Sequence, residues 1–329
     1  MQAAIFRKNG GPEVLELVTD FPLPARKPSQ VLVKLHSSSV NPVDTYVRSG
    51  YVTVAADAPC VLGGDLAGVV VEADEGSKFK QGDHVAALTP AFWPKEGQPQ
   101  GTYAQYVAVE ESHLALLPAA VPLDTAGALP LVGLTAWQAL MEGRPVEGQR
   151  LLVFAASGGV GHVAVQLGKA LGLVTVGVAG PSNTAWVKEQ LGADEVVDYT
   201  ASDFADVYSS PDKKFDIVVD CLANTPERMG KITSVLKSVG HYSHIMNAGS
   251  NTQLLEQLQA AHKEGKGPGA SFTLVKPNGK QLEQLFALWE AGQLKLEVAQ
   301  VVPLSQAVAA HEQVETGHTR GKVVLAVPQ

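Results

Sequence analysis

The chain has 329 residues, of which 45% are hydrophobic and 18% are charged. This length accommodates about two domains, and the composition is that of a globular protein rather than a disordered or coiled-coil chain. The 33 acidic residues outnumber the 25 basic ones, and the net charge of -8 disfavours nucleic acid as the main partner. The two cysteines, Cys60 and Cys221, exclude a four-cysteine zinc site within one chain and indicate a reducing compartment.

The amino-terminal segment MQAAIFRKNG has neither an apolar signal core nor an Arg- and Ser-rich transit character. We therefore expect a cytoplasmic location, with an organellar one open if a leader was removed. Residues 151–168 carry no charge and have the length of a membrane helix. We nevertheless expect no membrane span, because glycines and His162 interrupt the segment and its first half has the pattern of a strand.

The first 124 residues are predicted to be rich in strands, because Val-rich segments bounded by Gly, Pro and Asp recur there. The clearest of these strands cover residues 30–40, 66–74, 84–88 and 102–110. Residues 124–141 are mainly helical in pattern, with Asp124 and Thr125 as candidate caps.

From residue 150 onward strands alternate with helices, which is the pattern of βαβ units on a parallel sheet. The predicted strands are 150–157, 174–180, 195–199, 215–222 and 240–246. The predicted helices are 159–171, 182–191 (capped by Ser182) and 227–236. Beyond residue 268 we predict a helix at 278–294, a strand at 298–304, a helix at 305–317 and a final strand at 322–327.

A glycine-rich turn joins the first strand of this series to its helix. The turn 156–161 has the dinucleotide fingerprint with alanine at its first glycine position. Gly158 would let the backbone approach a pyrophosphate, and Gly161 would let the helix pack closely on the strand. The N–H groups and the dipole at the N-terminus of that helix favour phosphate. The context favours a dinucleotide site over a tight turn without a ligand. The residues assigned to the cofactor here are Ser157, Gly158, Gly159, Val160 and Gly161.

The segment after the second strand of the series selects the cofactor. NAD enzymes usually carry an acid about 20 residues after the glycine turn, but residues 174–188 contain none. A carboxylate would repel a 2′-phosphate, so its absence favours NADPH over NADH, although the segment also lacks arginine. Ser182, Asn183 and Lys188 are candidate phosphate contacts, with helix capping as the alternative for the first two. Gly180, at the end of the strand, is also assigned to the cofactor.

Six segments together resemble one family. They are SVNPVDTYVRSG (39–50), PCVLGGDLAGVV (59–70), LPLVGLTAWQAL (129–140), AASGGVGHVAVQL (155–167), LGADEVVDY (191–199) and HTRGKVVLAV (318–327). The chain resembles the zinc-independent quinone oxidoreductase branch of the medium-chain dehydrogenase/reductase superfamily. Within it the chain is most similar to plant and algal quinone oxidoreductase homologues and to alkenal/enone oxidoreductases.

The resemblance implies an α/β fold with a GroES-like β-rich domain and a Rossmann doubly wound parallel sheet. Residues 1–124 would form the amino-terminal part of the GroES-like domain, 125–267 the Rossmann domain and 268–329 a return segment that completes the first domain. The family places its active cleft at the junction of the two domains. It also implies NADPH as cofactor, an enone or quinone as substrate, and a monomer or homodimer.

Departures from the zinc-dependent relatives indicate a site without metal. Those relatives have cysteine where this chain has Asn41, and a ligand histidine where it has Gly64, next to Asp65. Their structural-zinc lobe is replaced by residues 89–102, which contain no cysteine. Hydride transfer to a simple ketone benefits from a Lewis acid, whereas a conjugated acceptor spreads charge onto its oxygen and is the easier substrate without one.

The resemblance also implies roles for individual residues. Asn41, Tyr46 and Tyr51 would lie on a loop at the cleft, and either tyrosine could donate a hydrogen bond to an enolate oxygen, with aromatic packing as the alternative. The implied cofactor contacts are Arg48, Thr135, Tyr199 (beside the adenine), Cys221, Leu222, Ala223, Ile245, Met246, Phe272, Leu274, Arg320 and Lys322. A surface charge is the alternative for Arg48, Arg320 and Lys322, and a hydroxyl bond within the helix is the alternative for Thr135.

These observations favour a metal-free, NADPH-dependent reductase of α,β-unsaturated carbonyls, quinones or both. One alternative is an NADPH-binding protein of low turnover with a structural or nucleic-acid-binding role. A third hypothesis is a zinc alcohol dehydrogenase, which is disfavoured because Asn41 and Gly64 stand where those enzymes have zinc ligands.

Overall fold

The computed structural model describes residues 1–52, 59–90, 101–223, 225–246 and 252–329. The chain divides into two compact units. The first contains residues 1–134, 276–292 and 296–329, and the second contains residues 135–275 and 293–295. The divisions fall after Leu134 and Val275 rather than after residues 124 and 267. Residues 123–131 stay with the first unit because Ser37 Oγ donates to the Leu123 carbonyl at 2.5 Å and Leu131 N donates to Asp65 Oδ1 at 2.6 Å.

The first unit contains a seven-stranded and a three-stranded sheet. The larger sheet consists of β3 (Gln30–Val40), β5 (Asp65–Glu72), β6 (His84–Leu88), β7 (Tyr106–Glu110), β8 (Leu114–Leu116), β15 (Val298–Pro303) and β16 (Lys322–Ala326). Its order is β15-β16-β3-β5-β6-β8, with β7 also paired to β3. The smaller sheet consists of β1 (Ala3–Phe6), β2 (Glu16–Val18) and β4 (Cys60–Val61).

The carboxyl-terminal strands complete the larger sheet, as the return segment of a GroES-like domain does. Strand β16 pairs antiparallel with β3, so that Val323 opposes Val40 and Ala326 opposes Ser37, and β15 runs parallel to β16. Val31, Val33 and Leu35 alternate along β3 and are fully buried, which is the period of a strand with one face on a core.

Among the described residues, four helices lie wholly within the first unit: α1 (Pro42–Ser49), α2 (Leu123–Ala126), α9 (Gly279–Glu290) and α10 (Ala307–Glu315). Helix α1 corrects the prediction of a loop for the segment with Tyr46. Pro42 has the fixed φ of a first helical position, the Asp44 carboxylate accepts from Asn41 N at 2.8 Å, and Gly50 ends the helix at φ +83°. The predicted helical stretch 124–141 forms two helices, α2 and α3 (Pro130–Glu142), and places Asp124 and Thr125 inside α2 rather than at its cap.

The second unit is built on a six-stranded parallel sheet with the order β11-β10-β9-β12-β13-β14. Its strands are β9 (Arg150–Val153), β10 (Val174–Ala179), β11 (Glu195–Asp198), β12 (Phe215–Asp220), β13 (Leu236–His244) and β14 (Gly269–Phe272). Its helices are α4 (Gly159–Ala170), α5 (Thr184–Glu189), α6 (Phe204–Val207), α7 (Pro226–Val235) and α8 (Thr252–Lys263). Numbered from β9, this order is that of the Rossmann fold, which binds dinucleotides at the carboxyl ends of its strands.

Among the described residues, no helix combines the length and apolar character that a membrane crossing needs. The uncharged segment 151–168 is divided between β9, a turn and the first part of α4.

Candidate functional site

The glycine turn lies between the end of β9 and the start of α4, as its sequence predicts. Ala155 has a left-handed φ of +51°, and this turns its carbonyl toward the helix. A Cβ on Gly161 would lie 2.1 Å from the Ala155 carbonyl oxygen and 2.9 Å from Ala156 Cα. Position 161 therefore requires glycine, because helix and turn are in direct backbone contact there.

The start of α4 is arranged to receive an anion. Gly158 precedes the helix in extended conformation, and His162 bonds its carbonyl oxygen twice, from the backbone N at 3.0 Å and from ring Nδ1 at 2.9 Å. The N–H groups of Gly159, Val160 and Gly161 belong to the first helical turn, where no intrahelical acceptor exists. Ser157 is half-buried beside them. This cradle fits the pyrophosphate of a dinucleotide.

The carboxyl end of β10 lies next to that of β11. A Cβ on Gly180 would lie 3.2 Å from the Tyr199 hydroxyl oxygen, and Tyr199 itself is 65% exposed. An exposed ring beside a glycine leaves a flat surface on which an adenine could lie, so the contact implied for Tyr199 stays a prediction with suitable geometry.

The predicted cap of α5 is wrong. The helix begins at Thr184, its N-cap residue is Asn183 rather than Ser182, and the Asn183 side chain makes no capping hydrogen bond. Ser182 and Lys188 are exposed. Their contact with a phosphate stays a prediction, and the capping alternative does not account for either Ser182 or the Asn183 amide.

A buried acidic residue at the end of β12 was missed by the sequence analysis. Asp220 is fully buried and accepts hydrogen bonds from Tyr242 Oη at 3.0 Å and Leu222 N at 3.0 Å. Arg228 on α7 lies 3.3 Å from the same carboxylate and also donates to the Ala223 carbonyl. These contacts hold the turn 221–223 in place, for which the resemblance implies contacts with the cofactor. The apolar run that ends in Asp220 was the available signal.

Apart from Thr135, the remaining predicted cofactor residues of the second unit lie at the same edge of the sheet. Asp220 pairs with His244, and His244 pairs with Phe272, so the ends of β12, β13 and β14 are level. The residues that follow these ends are Cys221, Leu222, Ala223, Ile245, Met246 and Leu274. Burial raises the pKa of the half-buried Cys221 thiol, so this cysteine is not a thiolate nucleophile.

A second polar cluster lies inside the first unit and is centred on Asn41 and Asp65, both fully buried. Asp65 Oδ2 accepts from Asn41 Nδ2 at 2.7 Å and from Ser39 Oγ at 2.6 Å. The Lys322 ammonium donates to Asn41 Oδ1 and to the Val40 carbonyl, and lies 3.7 Å from Asp65 Oδ2. The surface-charge alternative for Lys322 is wrong, because the side chain is 3% exposed, and its contact with the cofactor stays a prediction.

Arg48 is likewise buried, with 2% exposure. Its guanidinium donates to the Gly10 carbonyl at 3.2 Å, to His311 Nδ1 at 3.2 Å and to the Glu315 carboxylate. His311 then faces Tyr103, whose hydroxyl donates to Asp44. This burial excludes the surface-charge alternative for Arg48, and its contact with the cofactor stays a prediction.

The other predicted residues have the following surroundings. Tyr46 is half-buried on α1 and Tyr51 is 63% exposed just beyond it, with their ring centroids 5.5 Å apart. Burial raises the pKa of Tyr46, which keeps its hydroxyl proton in place as a donor. Thr135 is buried in α3, and Arg320 is exposed and lies 3.0 Å from Glu297.

The donor set around Asn41 does not fit a catalytic zinc ion. Zinc sites use thiolate, imidazole and carboxylate ligands, whereas Asp65 here has Asn41, Ser39 and the cation of Lys322 as neighbours. Across the described ranges, no group of three or more His, Cys, Asp or Glu side chains is placed to hold a metal. Residues 91–100, most of the segment that replaces the structural-zinc lobe, lie outside these ranges.

Comparisons with known proteins agree with this architecture. Residues 27–119 match the alcohol dehydrogenase GroES-like domain, and residues 191–325 match the zinc-binding dehydrogenase family. Human quinone oxidoreductase is 31% identical over 99% of this chain and 97% of its own length. The quinone oxidoreductase of Coxiella burnetii has a TM-score of 0.86 and 31% identity, covering 100% of this chain and 99% of that one.

The chain belongs to the quinone oxidoreductase branch of the medium-chain dehydrogenase/reductase superfamily. It is therefore an oxidoreductase. The Escherichia coli quinone oxidoreductase, whose structure was solved in complex with NADPH, is also similar, with a TM-score of 0.83 and 28% identity over 99% of this chain and 100% of that one. The special likeness to plant and algal members stays a prediction.

Proposed function

We propose that this protein is an NADPH-dependent reductase of α,β-unsaturated carbonyls and quinones that works without a metal ion. The observation that carries the proposal is the glycine cradle at the start of α4, where Gly161 leaves no room for a side chain against the Ala155 carbonyl. Such a cradle fits a dinucleotide, and the relatives named above include one solved with NADPH.

Preference for the phosphorylated cofactor is supported by charge. Between Val174 and Lys188 there is no carboxylate to repel a 2′-phosphate, and Ser182, Asn183 and Lys188 offer a hydroxyl, an amide and a cation. A carboxylate in that segment would instead favour the ribose hydroxyls of NADH.

When bound, the reduced nicotinamide supplies a hydride. Addition of two electrons to a conjugated carbonyl moves negative charge onto the substrate oxygen, and hydrogen-bond donors placed there lower the barrier. We assign this donation to Tyr46, whose raised pKa keeps its phenolic proton in place, and Tyr51 offers a second phenolic hydroxyl beside it. Water then supplies the proton to the carbon next to the carbonyl.

A conjugated acceptor is favoured over a simple ketone because the polar cluster offers no Lewis acid. Lys322 could act as a local cation, but its ammonium is held by Asn41 and Val40. A cytoplasmic location and a monomeric or homodimeric state belong to the same proposal, the first supported by the presence of only two cysteines.

The test is NADPH and NADH oxidation by the purified protein in EDTA, with an enone, a quinone and a simple ketone as acceptors. We expect turnover of the enone or quinone, tighter binding of NADPH than of NADH, and no effect of the chelator. Activity confined to the ketone and abolished by EDTA would refute the proposal. Tight NADPH binding without turnover of any acceptor would favour the alternative of a low-turnover binding protein.

A further inference from the structure

Lys322 places a cation inside the first unit. The residue begins β16, is 3% exposed, and donates to the Val40 carbonyl at 2.9 Å and to Asn41 Oδ1. A buried ammonium must be paired, because it loses its hydration. Asp65 supplies the opposite charge at 3.7 Å.

The Asn41 side-chain amide is held at both ends by charged groups. Its oxygen accepts from the Lys322 ammonium, and its nitrogen donates to the Asp65 carboxylate at 2.7 Å. A flipped amide would set its NH₂ group against the ammonium and its oxygen against the carboxylate. Bonds to charged partners are stronger than neutral ones, so one amide orientation is strongly favoured.

This amide lies at the start of the helix that carries Tyr46, the candidate hydrogen-bond donor to the substrate oxygen. Asn41 directly precedes α1, and its backbone N donates to Asp44 Oδ2 at 2.8 Å. Tyr46 lies about one turn further along the same helix. A shift of Asn41 therefore moves the first turn of α1 and changes the position of the Tyr46 hydroxyl.

We propose that Lys322 and Asp65 are positioning residues that hold the Asn41 amide in one orientation and thereby fix α1 and Tyr46. This inference rests on the function proposed above. It assigns Lys322 a role different from the cofactor contact that the resemblance implies, and the two roles give opposite results in one experiment.

The experiment compares Lys322→Met with Lys280→Met, which removes an exposed lysine of the same unit. We expect Lys322→Met to lower kcat for the enone about 10- to 100-fold, as loss of a supporting contact does at other sites, while the Kd of NADPH stays the same. Lys280→Met should change neither quantity. In an Asn41→Ala background, Lys322→Met should lower kcat no further, because residues that act through each other are not additive.

A second readout does not depend on turnover. In the cofactor-free protein the Asn41 side-chain amide is followed by ¹H–¹⁵N NMR and assigned by its loss in Asn41→Ala. We expect slow exchange of its protons with solvent in the wild type, and faster exchange with shifted resonances in Lys322→Met. If Lys322→Met does not fold, Asp65→Asn removes the opposite charge and should give the same loss of kcat at unchanged Kd.

An increased Kd for NADPH with unchanged kcat would make Lys322 a cofactor contact and overturn the proposal. Unchanged Asn41 amide signals would also overturn it. If the wild type turns over no acceptor, the proposed function is refuted. If Lys322→Met nevertheless shows the expected change of the amide signals, the conclusion that Lys322 orients the Asn41 amide still stands.

Discussion

The Nδ1 atom of His311 lies 3.2 Å from Nη1 of Arg48, and both side chains are buried. A guanidinium can only donate, so His311 accepts at Nδ1 and carries its proton on Nε2. That nitrogen lies 3.2 Å from the Tyr103 hydroxyl, which donates to Asp44 Oδ2 at 3.2 Å. The hydrogen bonds therefore run in one direction, from Arg48 through His311 and Tyr103 to Asp44.

His311 should make the protein sensitive to acid. Burial, and then the charge of Arg48, lowers the pKa of His311 to about 3, whereas a histidine in the unfolded chain titrates near ~6.5. Below that pH the unfolded chain takes up a proton that the folded protein does not. The stabilising contribution is therefore complete above pH ~6.5 and falls by about 1.4 kcal/mol per pH unit toward pH 3.

Urea unfolding of the wild type and of His311→Gln at pH 7.5, 6 and 5 measures this contribution. The free energy of unfolding of the wild type should fall relative to that of the variant as the pH decreases. His318→Gln, at an exposed position, is the matched control for the loss of a histidine. A difference between wild type and His311→Gln that does not change with pH would contradict the neutral, buried His311.

Asp44 should have the opposite effect. Burial raises its pKa to about 7, and its Oδ1 atom has no hydrogen-bond partner among the described residues. Between pH ~4 and pH ~7 the folded state keeps a proton that the unfolded chain has lost. Stability from this group therefore falls as pH rises through that window, by a total on the order of 4 kcal/mol.

Asp44→Asn removes this titration and keeps an oxygen that can accept from Asn41 N and Tyr103. Its free energy of unfolding, relative to the wild type, should rise between pH 4 and pH 8. Between pH ~4 and pH ~6.5 the contributions of Asp44 and His311 to the free energy of unfolding change with pH in opposite directions. The unfolding free energy of the wild type should therefore depend little on pH through this pair. If the unfolding free energies of Asp44→Asn and the wild type differ by the same amount at every pH from 4 to 8, the carboxyl group does not keep its proton in the folded state.

Gly161 should tolerate no side chain. Gly161→Ala places its Cβ 2.1 Å from the Ala155 carbonyl oxygen, so helix and turn must separate. We expect a loss of about 1–3 kcal/mol or more in the free energy of unfolding, together with a higher Kd for NADPH because the cradle changes shape.

Gly230→Ala is the control, since it lies in α7 and its added Cβ would meet nothing within 4 Å apart from the adjoining backbone of its own helix. There alanine should stabilise the helix by about 0.5–1 kcal/mol and leave NADPH binding unchanged. Chemical unfolding and NADPH fluorescence titration measure both quantities. Equal effects at the two positions would show that the close contact at Gly161 is not required.

The parallel sheet and its glycine turn could be predicted because their signals are local. Strand and helix periods occur within a few residues, and the fingerprint occupies six consecutive positions. Helix α1 was missed because its eight residues include proline and two valines, although Asn41 before it and Gly50 after it are typical start and stop signals.

The burial of the charged residues could not be predicted in this way. Arg48 meets His311 across 263 positions of sequence, and Lys322 meets Asn41 across 281. A local sequence pattern does not predict contacts between residues so far apart, and an isolated basic residue is far more often exposed than buried. The same limit hid Asp220, whose contacts with Arg228 and Tyr242 depend on how α7 and β13 pack.

The return of the final strand to β3 has a consequence for biosynthesis. Residues 135–275 supply nearly all of the second unit in one continuous stretch. Its parallel sheet can therefore form during translation, while the later residues of the first unit are still being synthesised. Residues 37–40 of β3 are paired with β16 only later, because β16 follows the second unit in the chain and carries the ammonium that lies beside Asn41. The first unit is thus completed only after the residues of the second unit have been synthesised, and the buried charge of Asp65 meets the Lys322 cation at that later stage.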